Sequence, residues 1–212
     1  MYLPSQFNAK ERSQALDIMR ARPLASLISV DDAGVPFVSH IPLHIEERGE
    51  ALVLLGHCAK ANPHWQYLLA RPQAVVTFMG PQAYMSPRVY PDLVRVPTWN
   101  YLAVHCTVQA NLLDGAQAKD HLLKQLIGDH DPAYAAQWQA LAADFQQKML
   151  SGITAFELQV LDLQCKVKLN QHRPESHVQM HALYAAGNAE EVELANWMIR
   201  LGFNLTAPVL PF

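Results

Sequence analysis

At 212 residues, half of them hydrophobic, the chain is long enough to bury a core without a disulfide or metal staple. A formal net charge of −3 and an isoelectric point near 6.3 leave no broad electrostatic footprint for nucleic acid, so the charge balance argues against direct DNA binding. Three widely spaced cysteines, Cys58, Cys106 and Cys165, form no disulfide framework, and no targeting or membrane-spanning pattern is visible, so a soluble, cytoplasmic protein with no membrane partner is expected.

Taken in order, Asn8-Ala9-Lys10-Glu11 reads as a capping box, and Ala15, Leu16, Ile18 and Met19 give residues 8 to 21 the apolar side of a helix. Leu24 to Val30 reads as a strand, Asp31-Asp32-Ala33-Gly34 as a turn, and Val35 to Ile45 as the antiparallel partner. Arg48-Gly49-Glu50 turns the chain into a third strand, Ala51 to Leu55, followed by a short helix from Asn62 to Ala70 and a fourth strand over Ala74 to Met79. Asn100 to Ala110 and part of Ala155 to Leu169 supply a fifth and a sixth. Between them lies a helical insertion over 114 to 149, with Asp114 capping residues 115 to 127, a break at Gly128-Asp129-His130-Asp131-Pro132, and a second helix running to about Met149.

The tail from Pro174 reads as two helices, the first ended by Gly187, the second capped by Asn188 and ended by Gly202, with an extended Pro208-Val209-Leu210-Pro211-Phe212 end. A DNA-reading helix-turn-helix is disfavoured, because Glu190, Glu191 and Glu193 occupy the turns that would meet phosphates. The pair is expected to pack or to form a dimer contact. The fold class is mainly β with peripheral helices, an α+β small barrel of Greek-key type, with residues 1 to 173 as one domain and 174 to 212 as a helical extension packed on it.

The run Gly56-His57-Cys58-Ala59-Lys60-Ala61-Asn62-Pro63-His64-Trp65 is the densest local signal. Asn62 suits a helix N-cap and Pro63 the first helical position, so Lys60 and the amides of the first turn converge at a strand's end, an anion site in outline. It lacks the glycines of a P-loop or a dinucleotide fingerprint, and a single terminal phosphate fits it better than a pyrophosphate. A second dense stretch runs from Phe78 to Tyr101. Its prolines hold an extended connection, Tyr84, Tyr90, Trp99 and Tyr101 bring flat faces with polar edges, and Ser86, Thr98 and Asn100 could bond the edge of a heterocycle. Covering one barrel end or filling a subunit interface is the equally available role for that loop.

With these residues in view, the chain resembles the PaiB family of FMN-binding negative transcriptional regulators, which have the flavin-binding split-barrel fold. The resemblance rests on the Met-Tyr-Leu-Pro start, Ser39-His40-Ile41-Pro42, Gly56-His57 through Asn62-Pro63, Gly80-Pro81 through Tyr84-Met85-Ser86-Pro87, Val96-Pro97-Thr98-Trp99-Asn100-Tyr101 and Lys166-Val167-Lys168-Leu169-Asn170-Gln171. It implies a homodimer with FMN in a cleft between subunits, Lys60 beside the phosphate with Asn62 opening the helix, and Ser39 and His40 approaching phosphate or flavin ring. Where relatives read Lys-Leu-Ser-Gln-Asn, this chain reads Lys168-Leu169-Asn170-Gln171-His172, which puts a cofactor contact from that segment in question; Lys168 remains a candidate partner for phosphate or carboxylate.

Ten histidines raise metal and haem as rivals. His40 and His44 would share one strand face, and His177 and His181 would stack one helical turn apart, but neither pair has a third ligand. Some split-barrel proteins bind and degrade haem, for which an axial histidine such as His57 or His172 would serve. No catalytic constellation is evident: Ser39-His40 and Ser86 lack an aspartate partner, so any chemistry belongs to the flavin, including the alternative of an oxidoreductase that takes electrons from NAD(P)H.

Overall fold

The structure, a computed structural model, describes residues 1–9, 11–92 and 94–206. Seven strands form one open sheet in the order β2-β1-β5-β6-β7-β4-β3. They are β1 (Leu24–Val30), β2 (Pro36–Pro42), β3 (His44–Arg48), β4 (Ala51–Ala59), β5 (Gln73–Met85), β6 (Thr98–Leu113) and β7 (Ile153–Lys168). Among the described residues, the helices are α1 (Arg12–Ala21), α2 (His64–Ala70), α3 (Ala116–His130), α4 (Tyr134–Ala140), α5 (Ala143–Ser151), α6 (His177–Ala185) and α7 (Ala189–Arg200). None is long and apolar enough to cross a membrane.

The chain divides into two compact units, one built from Met1–Ile18, Met79–Val104 and the chain from Gln164 onward, the other from Met19–Phe78 and His105–Leu163. In the second unit, β1 and β2 pair antiparallel with Ser26 opposite His40 and Ile28 opposite Val38, and Asp31 closes their turn by accepting from the amides of Ala33 and Val35. The turn follows from Asp31 and Gly34, whose φ of 79° is the left-handed conformation glycine adopts without penalty. Strand β4 pairs with β3 on one side and β7 on the other. Val53 and Leu55 of β4 join Ala155 of β7 under Leu122 and Leu126 of α3, with Leu113 packed alongside. A strand covered this way reads as a continuous apolar run, which is what Leu52-Val53-Leu54-Leu55 is. In the first unit, α6 and α7 pack together, and Met180 and Tyr184 of α6 are fully buried.

Several boundaries differ from the sequence reading. The expected strand 35–45 is two strands, because Pro42 ends β2 and buried Leu43 turns its amide to the Pro23 carbonyl. Strand β4 continues four residues past Leu55; Gly56 permits this, since a Cβ there would collide with Leu43 and press on Phe156. The first helix starts at Arg12, not residue 8, because Asn8 bridges to Lys166 and the Ala9 amide bonds the Cys165 carbonyl. Lys10 of the expected capping box lies outside the described residues, as does the Pro208–Phe212 end. Asp114 does not cap α3, whose N-cap is Gly115 at φ 86°, and α3 runs through Gly128 to His130. The expected second insertion helix is two, separated at Leu141–Ala142 by extended backbone. At the tail, Asn188 caps α7 as expected and does so in a reciprocal capping box with Glu191, and Gly202 adopts φ 69° past the end of α7.

Candidate functional site

Strand β2 presents alternate residues to alternate sides, and its inner set, Phe37 and Ser39, meets the connection from β4 to α2. The Ser39 hydroxyl stands 2.8 Å from His64 Nδ1 and accepts from Asn62 Nδ2 at 3.0 Å, while Asn62 Oδ1 accepts from the His64 amide at 3.0 Å. That last bond fixes which end of the Asn62 amide faces Ser39. His64 is fully buried, packs edge-on against Phe37, and is pushed down to about 4 by burial, so it is neutral at pH 7. Lys60, two residues before Asn62, is exposed, and among the described residues no carboxylate pairs with its ammonium.

The anion site drawn from the sequence changes character here. Asn62 does cap the chain's entry into α2 and Pro63 is helical, but the first-turn amides are already engaged: His64 with Asn62, Trp65 with the Cys58 sulfur, and Gln66 and Tyr67 with the Pro63 carbonyl. What remains for an anion is side chain chemistry, the Lys60 ammonium and the Ser39 hydroxyl.

The outer set of β2 is different. His40 bonds Ser26 across the pair at 3.0 Å, and one rung along, Val38, Ile28 and Val75 line up across β2, β1 and β5. Val38 is 46% exposed and Val75 37%, with Leu24 and Val30 of β1 also exposed. Apolar residues in outward register on three adjacent strands are a face built to be covered.

In the other unit, the expected site residues fall into separate groups. Lys168 donates to Thr98 Oγ1 at 2.7 Å and lies over the Tyr101 ring, with burial depressing its ammonium pKa. Thr98 and Lys168 line a cleft of about 590 Å³ together with Tyr90, Arg95, Asn170 and His172. Tyr84 and Trp99 are exposed and meet edge to face at 6.3 Å beside a second cavity bordered by Asn188 and Glu190 of the α7 start; the Trp99 indole donates to Gln82. Ser86 caps the short turn Pro87–Val89, its hydroxyl accepting from the Arg88 amide. Asn100 points into the interior: it is fully buried and its amide donates to Tyr184 Oη at 2.9 Å and to the sulfurs of Met85 and Met180. The reason is alternation on β6, where Trp99 faces outward and its neighbour must face in.

Several residues the sequence reading passed over carry the polar organisation. His64, Arg95 and Tyr184 belong here; Asn170, already marked by its departure from the family motif, joins them with its amide bonded to Tyr90 Oη and Ser176 and its φ at 60°. The Asn-Pro-His order was the available signal for His64, since the residue after a capped Asn-Pro lies beside the cap. His40 and His44 do not form a pair, because Leu43 breaks the strand between them; His44 instead meets Asp129 at 2.7 Å. His177 is buried against the Asn170 carbonyl and the Phe203 ring. Of the haem candidates, His57 is partly buried with its pKa lowered by burial, and His172 packs edge-on against Phe7. No group of three or more His, Cys, Asp or Glu among the described residues could hold a metal ion.

Comparison with known proteins gives a consistent result. Residues 1–162 match the model of the family described as "Putative FMN-binding domain". The chain is 29% identical over 181 residues to the protease synthase and sporulation protein PAI 2 of Bacillus subtilis, covering 83% of this chain and 84% of that protein. An uncharacterized protein of Saccharomyces cerevisiae is 28% identical over 127 residues, half of this chain and 75% of its own length. Among solved structures, a FAD and heme binding protein from Mycobacterium smegmatis superposes with a TM-score of 0.60 at 19% identity, over 76% of this chain and 73% of that one. A flavocytochrome from Azotobacter vinelandii gives 0.59 at 18%, over 77% and 70%. These neighbours establish the fold as the split barrel, and the family match covers three quarters of the sequence, every strand but the end of β7: the chain belongs to the FMN-binding domain family.

Proposed function

We propose that this protein binds FMN as a homodimer of the PaiB type and serves as a flavin-bound negative regulator of transcription. The observation that carries the binding reading is the Ser39–Asn62–His64 arrangement, with exposed Lys60 two residues before Asn62 in the chain. It offers a hydroxyl and an ammonium that no carboxylate among the described residues pairs with, the donor set a phosphate monoester needs. Ser39 and Lys60 hold the phosphate, with Asn62 fixing Ser39. His40, Tyr84, Ser86, Thr98, Trp99, Tyr101 and Lys168 are the remaining candidates for contacts to the ribityl chain and ring, while Asn100 is buried against Tyr184, Met85 and Met180 and drops from that set. FMN, when bound, supplies one- or two-electron redox chemistry; the protein's residues bind and orient it.

The outward apolar rungs of β1, β2 and β5 support the dimer, since a second copy is the simplest cover for a face that carries His40 at its edge. Regulation is extended from the PaiB resemblance and from the sporulation role in the name of the Bacillus subtilis relative. Because α7 opens on Glu190 and Glu191, regulation is expected to work through a partner, and a salt-sensitive shift of promoter DNA by the pure protein would overturn that view.

The test is a visible spectrum after FMN is added and unbound ligand is removed by gel filtration, with light scattering on the same peak. A retained two-band flavin spectrum in a dimer-sized peak is expected. Lys60→Ala should weaken FMN about 10- to 100-fold, the range for a hydrogen bond to a charged group, whereas Lys148→Ala on α5 should leave it unchanged. Equal affinities would remove Lys60 from the site. Haem added in parallel tests the rival occupant, for which part-buried His57 is the ligand candidate, and bleaching of the bound flavin by NAD(P)H tests the oxidoreductase alternative.

A further inference from the structure

Ser39 Oγ has two polar neighbours and one proton, and where that proton goes decides what the site can accept. Asn62 is a donor to Ser39, because its oxygen is committed to the His64 amide. His64 Nδ1, at 2.8 Å, is either a second donor or the acceptor of the Ser39 proton. The other ring nitrogen settles the choice. His64 Nε2 is buried and has no hydrogen-bond partner among the described residues. Were Nδ1 the acceptor, Nε2 would carry a buried N–H with nothing to receive it, and orphaned buried N–H groups are rarer than under-satisfied acceptors. With the proton on Nδ1, Nε2 is only a bare buried lone pair, on a ring that packs edge to face with Phe37.

We infer that His64 donates its Nδ1 proton to Ser39, so that both lone pairs of the Ser39 oxygen are filled and its hydroxyl is a committed donor, making this corner selective for a phosphate-type anion over a neutral ligand. The inference rests on the flavin-phosphate reading above and deepens it. His64 is then a positioning residue: it never touches the ligand, yet it turns a serine that could donate or accept into one that only donates. Burial keeps the ring neutral, which preserves the single Nδ1 donor and leaves Nε2 bare across the neutral pH range. A phosphate dianion has only acceptor oxygens and suits Lys60 and Ser39 together. A ligand ending in a hydroxyl forgoes the charge-assisted part of the interaction.

Two measurements test this. Nitrogen NMR of the His64 ring in the ligand-free protein at pH 7 is expected to show a protonated Nδ1 and an unprotonated Nε2; the reverse tautomer overturns the inference. The second is the ratio of riboflavin to FMN dissociation constants, which reports the phosphate contribution alone and cancels general damage to the fold. Ser39→Ala and Lys60→Ala should each lower that ratio about 10-fold or more. His64→Leu should lower it several-fold, because the Ser39 proton regains other orientations. If His64→Leu instead raises the ratio, the ring was competing for the Ser39 proton, and the His64 assignment fails while the site stands. If Ser39→Ala and Lys60→Ala leave the ratio unchanged, the phosphate reading fails and the inference with it.

Discussion

The buried imidazole of His64 makes a prediction about stability that needs no ligand. Its folded pKa is about 4 against 6.5 for the exposed residue, because burial penalises the charged ring. The native state therefore stays neutral at pH values where the unfolded chain takes up a proton. The associated stability is fully present above pH 6.5 and is lost as pH falls toward 4. With 1.36 kcal/mol per pKa unit, the loss relative to pH 8 is about 2 kcal/mol at pH 5 and about 3 kcal/mol below pH 4. Urea unfolding of the protein and of His64→Leu at pH 7.5, 6.0 and 5.0 measures it. His57, also pushed down by burial, contributes slope of the same sign, but it is common to both proteins and cancels in the difference. The gap between the two proteins should therefore change by about 2 kcal/mol over this range, with the variant losing less. Parallel pH profiles would show that His64 is solvated or charged in the folded state, and the neutral-donor argument would go with it.

Other substitutions test the scaffold. At Gly80 a Cβ would stand 2.8 Å from Leu102 Cβ and 3.2 Å from its carbonyl oxygen, so Gly80→Ala should cost about 1–3 kcal/mol in chemical denaturation, the range for overpacking. Asn188→Ala removes the side chain half of the α7 capping box and should cost about 1 kcal/mol; a neutral result would mean the cap is not formed in solution. The Cys165 thiol, pushed up to about 12 by burial, should resist alkylation by iodoacetamide at pH 8 in the folded protein and react only in denaturant, as read by intact mass.

The fold was legible where a single local rule decided the outcome. The β1–β2 turn followed from Asp31 and Gly34, the α7 start from Asn188, and β4 from its apolar run. Reading failed where tertiary contacts reassigned backbone groups. Nothing local tells Asn8 to bridge to Lys166 instead of capping a helix, and although Pro42 is a local stop, nothing local sends the Leu43 amide to the Pro23 carbonyl. Strand lengths were underestimated for a related reason: His57, Cys58 and Ala59 have no strong strand propensity, and they are held in β4 by pairing with Ala155, Thr154 and Ile153 of β7.

The site shows the same division at the scale of one strand. Lys60 and Ser39 could be named from sequence, but not the way β2 divides its residues between two tasks. Phe37 and Ser39 turn toward His64 and Tyr67, while Val38 and His40 turn to the opposite face, where they meet Ile28 and Ser26 of β1. Strand periodicity makes these assignments inseparable, since a slip of β2 by one residue would send Ser39 to the outer face and Val38 into the polar corner. The slip is opposed in the polar corner, where Val38 would leave Asn62 and His64 without the oxygen they bond. The register of β2 is thus what sets Ser39 against Asn62 and His64 while leaving Val38 and His40 on the exposed outer face.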